Sequence, residues 1–370
     1  MPIDIRAAVL HAPHTPLRIE TLRLDDPKQG EVLIRLAACG ICHSDQGFID
    51  GHVRTPGLLP IVLGHEGAGV VVACGPGVES LAVGDHVLPM AMSECRRCPA
   101  CLSRRSNLCE AAQASMAGAV AYDGTNRMSL DGRRVYQMAG VGMFATHTIA
   151  HEWNVAKIDP DVPLDVACLV SCAIGTGVGA AVAAARVNPG SSVAVFGLGG
   201  IGLNVVQGAR LAGAAVIIGV DPNPGRESIG RRLGLTHFLD PRAQDPVAAI
   251  RALVAGGVDF AFEAVGRLEI VRQALACTHS GWGLATMLGV PTGPDVAVTP
   301  YDLLWGRRLQ GCSYGGLYPR SDAPRLVDWY RRGMIDIDSL ITHRIGLDDI
   351  NQGFDLLRTG EAVRTVVTMG

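Results

Sequence analysis

The chain has 370 residues, 48% of them hydrophobic and 18% charged, which excludes a disordered protein and provides core for two domains of ordinary size. Its formal net charge of −3, from 32 Lys+Arg against 35 Asp+Glu, lacks the basic excess of a protein held to nucleic acid by its phosphates. The 11 cysteines, an odd number in a long chain, speak against a secreted disulfide scaffold.

The N-terminus carries Asp4 and Arg6 and has no apolar signal core, so a cytoplasmic protein is expected. Residues 30–36, 68–73, 85–90 and 143–149 read as short strands between Gly, Pro and Asp clusters, and few long periodic helices precede residue 165. Residues 166–185 are uncharged and long enough to cross a bilayer. They lean on alanine and are interrupted by Ser171, Gly175, Thr176, Gly177 and Gly179, so the segment reads as a buried helix and no membrane partner is expected. From residue 192 the pattern changes. Apolar runs at 193–196, 215–220, 237–239, 258–262, 284–288 and 309–313 predict buried parallel strands, with helices at 203–211, 226–233, 246–254 and 268–277 between most of them. Helices at 323–332 and 347–358 and a strand at 364–368 close the chain. The expected fold is α/β: a doubly wound, six-stranded parallel dinucleotide-binding domain over 174–313, inserted into a mainly β domain made of 1–173 and 314–370.

Gly197, Gly199 and Gly202 stand at G-x-G-x-x-G spacing, directly after an apolar strand and at the start of a helix. The first glycine permits a tight turn, the second lets backbone approach a pyrophosphate, and the third allows close helix–strand packing. The next strand ends at Asp221, 19 residues beyond Gly202, where a carboxylate accepts hydrogen bonds from ribose hydroxyls and repels a 2′-phosphate. NAD is therefore expected over NADP. Arg226, five residues on, can reach toward the ribose or a phosphate.

Cys95, Cys98, Cys101 and Cys109 form C-x2-C-x2-C-x7-C, a set that can close around one tetrahedral zinc and leaves no vertex for substrate. Three cysteines at this spacing also begin ferredoxin motifs, so an iron–sulfur or otherwise metal-stapled redox or binding protein is a competing reading from another class. Cys42, His65 and Cys172 are unremarkable individually, and gaps of 23 and 107 residues do not assemble them into a site.

Taken together, GICHSD (40–45), GHEGAG (64–69), the four-cysteine loop, SCAIGTG (171–177), GLGGIG (197–202) and LRTGEAVRTVV (357–367) resemble the zinc-dependent medium-chain alcohol dehydrogenases through essentially the whole chain. The resemblance implies a GroES-like fold for the mainly β domain, two zinc ions per chain and NAD. It implies that Cys42, His65 and Cys172 bind a catalytic zinc with one position open, while the four-cysteine loop binds a structural zinc. In the same terms Asp45 orients His65, Glu66 lies beside the metal, and Ser44 hydrogen-bonds the substrate hydroxyl. His43 and Arg364 meet the cofactor pyrophosphate, and the glycine turn extends through Gly200 and Ile201. The implied pocket positions are Ala91, Met138, Val290 and Ser313.

The implied activity is the interconversion of a primary alcohol, aromatic or terpenoid in the reading favoured by small pocket residues, with its aldehyde. The implied partners are small-molecule alcohols and aldehydes, and the implied assembly is a homodimer or homotetramer, with strands in 299–313 able to pair across a subunit boundary. Two departures matter. Where many relatives place a relay histidine five residues after the first zinc ligand, this chain has Gly47, for which His52 is a candidate substitute. The segment Asp123-Gly124-Thr125 is similar to the branch that oxidises S-(hydroxymethyl) thiol adducts, the alternative activity. However, Ala111-Ala112-Gln113-Ala114 lacks the arginine that branch uses for the thiol's carboxylate. Metal-independent reduction of quinones or enoyl compounds on the same fold is opposed by Cys42, His65 and Cys172.

Overall fold

The computed structural model describes residues 1–53, 57–291 and 293–370. The chain folds into two compact units, Met1–Cys172 with Tyr318–Gly333 and Ile337–Gly370, and Ala173–Leu317 with Met334–Asp336.

The first unit is mainly β. Ile3–Leu10, Arg18–Leu24, Met128–Leu130, Arg133–Gln137 and Ile61–Val62 close a small barrel. A seven-stranded sheet runs in the order Val155–Lys157, His86–Pro89, Gly67–Cys74, Glu31–Gly40, Arg364–Thr368, Ile341–Gly346, with His147–His151 also paired to Glu31–Gly40. Ile34, Leu36, Val71 and Phe144 are fully or almost fully buried in its core. There Phe144 meets Phe354 edge-on at 6.0 Å between ring centroids. The expected strand 143–149 is a strand only at its end. Gly140 and Gly142 at positive φ turn the chain, and Met143 and Phe144 instead bond back to Gly64 and Leu63.

The second unit holds six parallel strands in the order His237–Leu239, Val216–Val220, Ser192–Phe196, Phe260–Glu263, Leu284–Met287, Arg308–Gly311. Numbered along the chain this is 3-2-1-4-5-6, the doubly wound arrangement. Ser192–Phe196 is buried along its whole length, as a central strand covered on both faces must be. The uncharged run 166–185 is broken into Leu164–Ala167, Cys168–Ser171, Ala173–Gly179 and Ala180–Ala184. Among the described residues no single helix is long and apolar enough to cross a membrane. The glycines of this run serve packing: a Cβ on Gly177 would lie 2.4 Å from Asn204 Cβ. Residues 299–313 differ from a pure strand expectation. Pro300 opens a short helix, Pro300–Leu304, before the strand Arg308–Gly311. In the first unit, Pro319 likewise starts the helix Pro319–Arg331 earlier than expected.

Candidate active site

Cys42 follows the strand Glu31–Gly40 and caps the helix His43–Ile49. Asp45, fully buried in the first turn of that helix, gathers three donors: Cys42 N–H at 3.1 Å, Gly64 N–H at 2.9 Å and His65 Nδ1 at 3.2 Å. With Nδ1 engaged, His65 presents Nε2 as its free ligand atom. Cys172 ends the turn Cys168–Ser171, where the Ser171 hydroxyl bonds the carbonyls of Gly67 and Cys168 at 3.1 and 2.5 Å. Ligand atoms of Cys42, His65, Glu66 and Cys172 all lie within 4.8 Å of one another.

The electrostatics suit a cation. The Cys172 contact pulls the Cys42 thiol well below its ordinary value against the effect of burial, and the same contact pushes Cys172 up. The two neighbouring thiols oppose ionising together, and a divalent ion would let both ionise. Glu66 is pushed up to about 7 by burial even though Arg364 opposes the shift. Arg364 grips Glu66 Oε2, while Glu66 Oε1 is buried with no hydrogen-bond partner among the described residues. Ser44 Oγ sits 3.8 Å from Cys42 Sγ. His43 and His52 are exposed, and Gly47 lies inside the helix.

The second cluster also fits a metal. Sulfurs of Cys95, Cys98, Cys101 and Cys109 lie within 4.8 Å of one another. Zinc–sulfur bonds of about 2.3 Å give tetrahedral edges of about 3.8 Å. The Cys95 and Cys101 sulfurs are 3.8 Å apart. Burial opposes ionisation of Cys109, yet the Ser93 hydroxyl, at 3.1 Å, and nearby backbone N–H groups hold its thiol down at about 6. The Tyr122 and Trp153 ring centroids are 5.7 Å apart, and Trp153 packs against the sulfur cluster with Arg97 4.6 Å above its ring. Sequence reasoning missed Ser93, Tyr122 and Trp153, since isolated polar and aromatic residues carry no spacing signal.

In the second unit Gly197 adopts φ +88°, and a Cβ on Gly202 would lie 1.7 Å from Gly197 O. A Cβ on Gly199 would meet nothing within 4 Å, so the turn leaves open space where a pyrophosphate would lie, at the N-terminus of the helix Gly200–Leu211 carrying Ile201. Asp221 accepts from Leu198 N–H at 2.7 Å and Asn223 N–H at 2.8 Å, which fixes the carboxylate beside this turn. Arg226, almost fully buried, feels the Asp221 charge. Of the expected pocket residues, Ala91 and Met138 belong to the first unit's main apolar cluster. In the second unit Val290 is exposed and Ser313 half-buried. Asp123-Gly124-Thr125 lies in an ion cluster in which Arg127 pairs with both Glu31 and Asp123 at 2.6 and 2.9 Å. Gln113, in the segment lacking the arginine, donates to Leu108 O at 3.0 Å.

A mainly β unit with two thiolate-rich metal sites, joined in one chain to a doubly wound glycine-turn unit, defines a zinc-dependent nicotinamide oxidoreductase. The alcohol dehydrogenase GroES-like domain family matches residues 28–160, and the zinc-binding dehydrogenase family matches 200–332. The chain is 44% identical to S-(hydroxymethyl)glutathione dehydrogenase of Paracoccus denitrificans over 98% of its length and 99% of the relative's. It is equally identical, with the same coverage, to alcohol dehydrogenase class-3 of Cereibacter sphaeroides. Benzyl alcohol dehydrogenase from Acinetobacter calcoaceticus superposes at TM-score 0.93 with 32% identity, covering both chains fully. The chain belongs to the zinc-dependent medium-chain alcohol dehydrogenase family, and it is an oxidoreductase that uses zinc and NAD.

Proposed function

We propose that the protein oxidises the hydroxymethyl group of an S-(hydroxymethyl) thiol adduct, of which S-(hydroxymethyl)glutathione is the type, to the S-formyl thioester. One carbon–hydrogen bond is lost as hydride to NAD and the hydroxyl proton is released, giving NADH and H⁺. The observation that carries the reaction class is the convergence of Cys42, His65 and Cys172 while Glu66, the fourth candidate donor, is engaged by Arg364. The names of the curated relatives carry the substrate.

When bound, zinc supplies a Lewis acid that makes the substrate hydroxyl acidic and NAD supplies the hydride acceptor. Cys42, His65 and Cys172 are the ligands of that zinc, and Cys95, Cys98, Cys101 and Cys109 hold a second, closed one. Asp45 fixes the tautomer and direction of His65. Ser44, beside Cys42, takes the hydroxyl proton and passes it to water, since position 47 offers no histidine. The Gly197–Gly202 turn binds the pyrophosphate and Asp221 the ribose hydroxyls. Arg226 modulates the preference for NAD over NADP. Ala91 and Met138, in the unit that holds the Cys42, His65 and Cys172 cluster, line the substrate's path.

A second reading, oxidation of a benzylic or other bulky primary alcohol, is favoured by Gln113, which stands in the segment without an arginine and is occupied by Leu108 O. The deciding experiment measures kcat/KM for S-(hydroxymethyl)glutathione, benzyl alcohol and a terpenoid alcohol, each with NAD and NADP. The highest value with S-(hydroxymethyl)glutathione and NAD supports the first reading, and a preference for benzyl alcohol replaces it with the second. The enzyme acts in the cytoplasm as a homo-oligomer. In support of assembly, Arg308–Gly311 is an edge strand with one side unpaired among the described residues, and Tyr301, Leu304 and Trp305 beside it are exposed.

A further inference from the structure

The strand Phe260–Glu263 ends on a carboxylate that is 1% exposed. An anion buried at a strand end needs donors. Oε1 of Glu263 accepts from the N–H groups of Val265 at 2.8 Å and Gly266 at 2.6 Å, while burial pushes the carboxyl above its ordinary value against these bonds, and the Gly289 N–H bonds the Glu263 carbonyl at 3.2 Å. Glu263 Oε2 is buried without a hydrogen-bond partner among the described residues.

The turns tied to this carboxylate follow adjacent strands of the parallel sheet. The Val265 side chain packs against the glycine turn, and the turn after Phe260–Glu263 packs backbone to backbone against the turn after Leu284–Met287. A Cβ on Gly197 would lie 2.6 Å from Val265 Cγ2, one on Gly266 2.3 Å from Val290 O, and one on Gly289 2.1 Å from Gly266 N. Gly197, Val265, Gly266 and Gly289 therefore leave one another no slack, and a shift in any of these turns is transmitted to the others.

We propose that Glu263 is a positioning residue for NAD: by fastening the Val265–Gly266 turn it holds Gly197 and the loop after it in the conformation that receives the pyrophosphate. The Glu263 side chain acts on the cofactor site only through the Val265–Gly266 turn and the Val265 side chain that meets Gly197. Glu263→Ala strips both bonds, whereas Glu263→Gln keeps an oxygen for Val265 and Gly266 and removes the charge.

The test is NAD affinity of the zinc-loaded enzyme by calorimetry, together with steady-state kinetics. E263A is expected to raise Kd and KM for NAD by about tenfold, and E263Q by a smaller factor, from the strength of hydrogen bonds to a charged group. The alcohol KM, kcat at saturating NAD and zinc content should stay within about twofold, a spread typical of neutral variants away from the chemistry. NAD affinity unchanged in E263A, or a fall in thermal stability with no change in NAD affinity, overturns the proposal. If E263A does not fold, E263Q decides: weaker NAD binding with unchanged kcat supports the proposal, and unchanged binding overturns it.

Discussion

The guanidinium of Arg364 grips the carboxylate of Glu66 in the interior, where the two side chains are 5% and 0% exposed. The pair spans 298 positions of sequence and sits beside the Cys42, His65 and Cys172 cluster. Arg364 both balances a buried carboxylate and occupies one of its two oxygens beside the cluster.

Arg364→Met is therefore expected to cost about 3–5 kcal/mol, because Glu66 is left buried and unpaired. Urea unfolding of the zinc-loaded protein measures this. A loss under about 1 kcal/mol, the size of a surface pair, would mean that the contact contributes nothing specific.

Ser93 donates to Cys109, a ligand of the four-cysteine cluster. Ser93→Ala should speed zinc loss from that cluster to a chelator by about tenfold, within the usual effect of removing such a partner. Release kinetics with a colorimetric chelator provide the measurement, and wild-type kinetics would show the hydroxyl to be idle.

Burial alone would raise the Asp123 carboxyl, but hydrogen bonds from Thr125 and Arg127 hold it well below the usual carboxylate range. A depressed pKa contributes stability that is full above the unfolded value of about 3.9 and is lost as pH falls through the folded value. The side chain is 41% exposed, so water screens it. Asp123→Asn should be less stable than wild type at pH 6 by up to about 1 kcal/mol, and the gap should narrow below about pH 4. A gap that does not vary with pH would contradict this origin.

Asp221 accepts from Leu198 and Asn223 and so braces the glycine turn, and its proposed second role is to accept from the ribose hydroxyls. Asp221→Ala should lower kcat/KM for NAD by at least about tenfold and narrow the gap to NADP. An unchanged NAD/NADP ratio would remove Asp221 from cofactor choice.

What the sequence could disclose was what repeats or clusters along it. The four cysteines at 95–109 and the glycines at 197–202 lie within one loop each, so their spacing is their geometry. The run 192–196 is apolar throughout because a central parallel strand is covered on both faces. Cys42, His65 and Cys172 meet only because a strand end, a loop and a helical turn converge. No spacing records that, and the family resemblance supplied it. Single buried polar residues are less legible still. Ser93 and Glu263 acquire meaning from the thiolate and the N–H groups that tertiary structure brings to them. Residues 300–304 deceive in the opposite way: an apolar stretch beside a strand is turned into a helix by Pro300 at its first position.

We assign the chemistry to a zinc held by Cys42, His65 and Cys172. Metal content and NADH formation of purified Cys42→Ala test it most directly. The variant should hold one zinc per chain instead of two, lose turnover by about 10³-fold or more, and keep NAD affinity within about twofold of wild type. Two zinc ions with full turnover in the variant would contradict it.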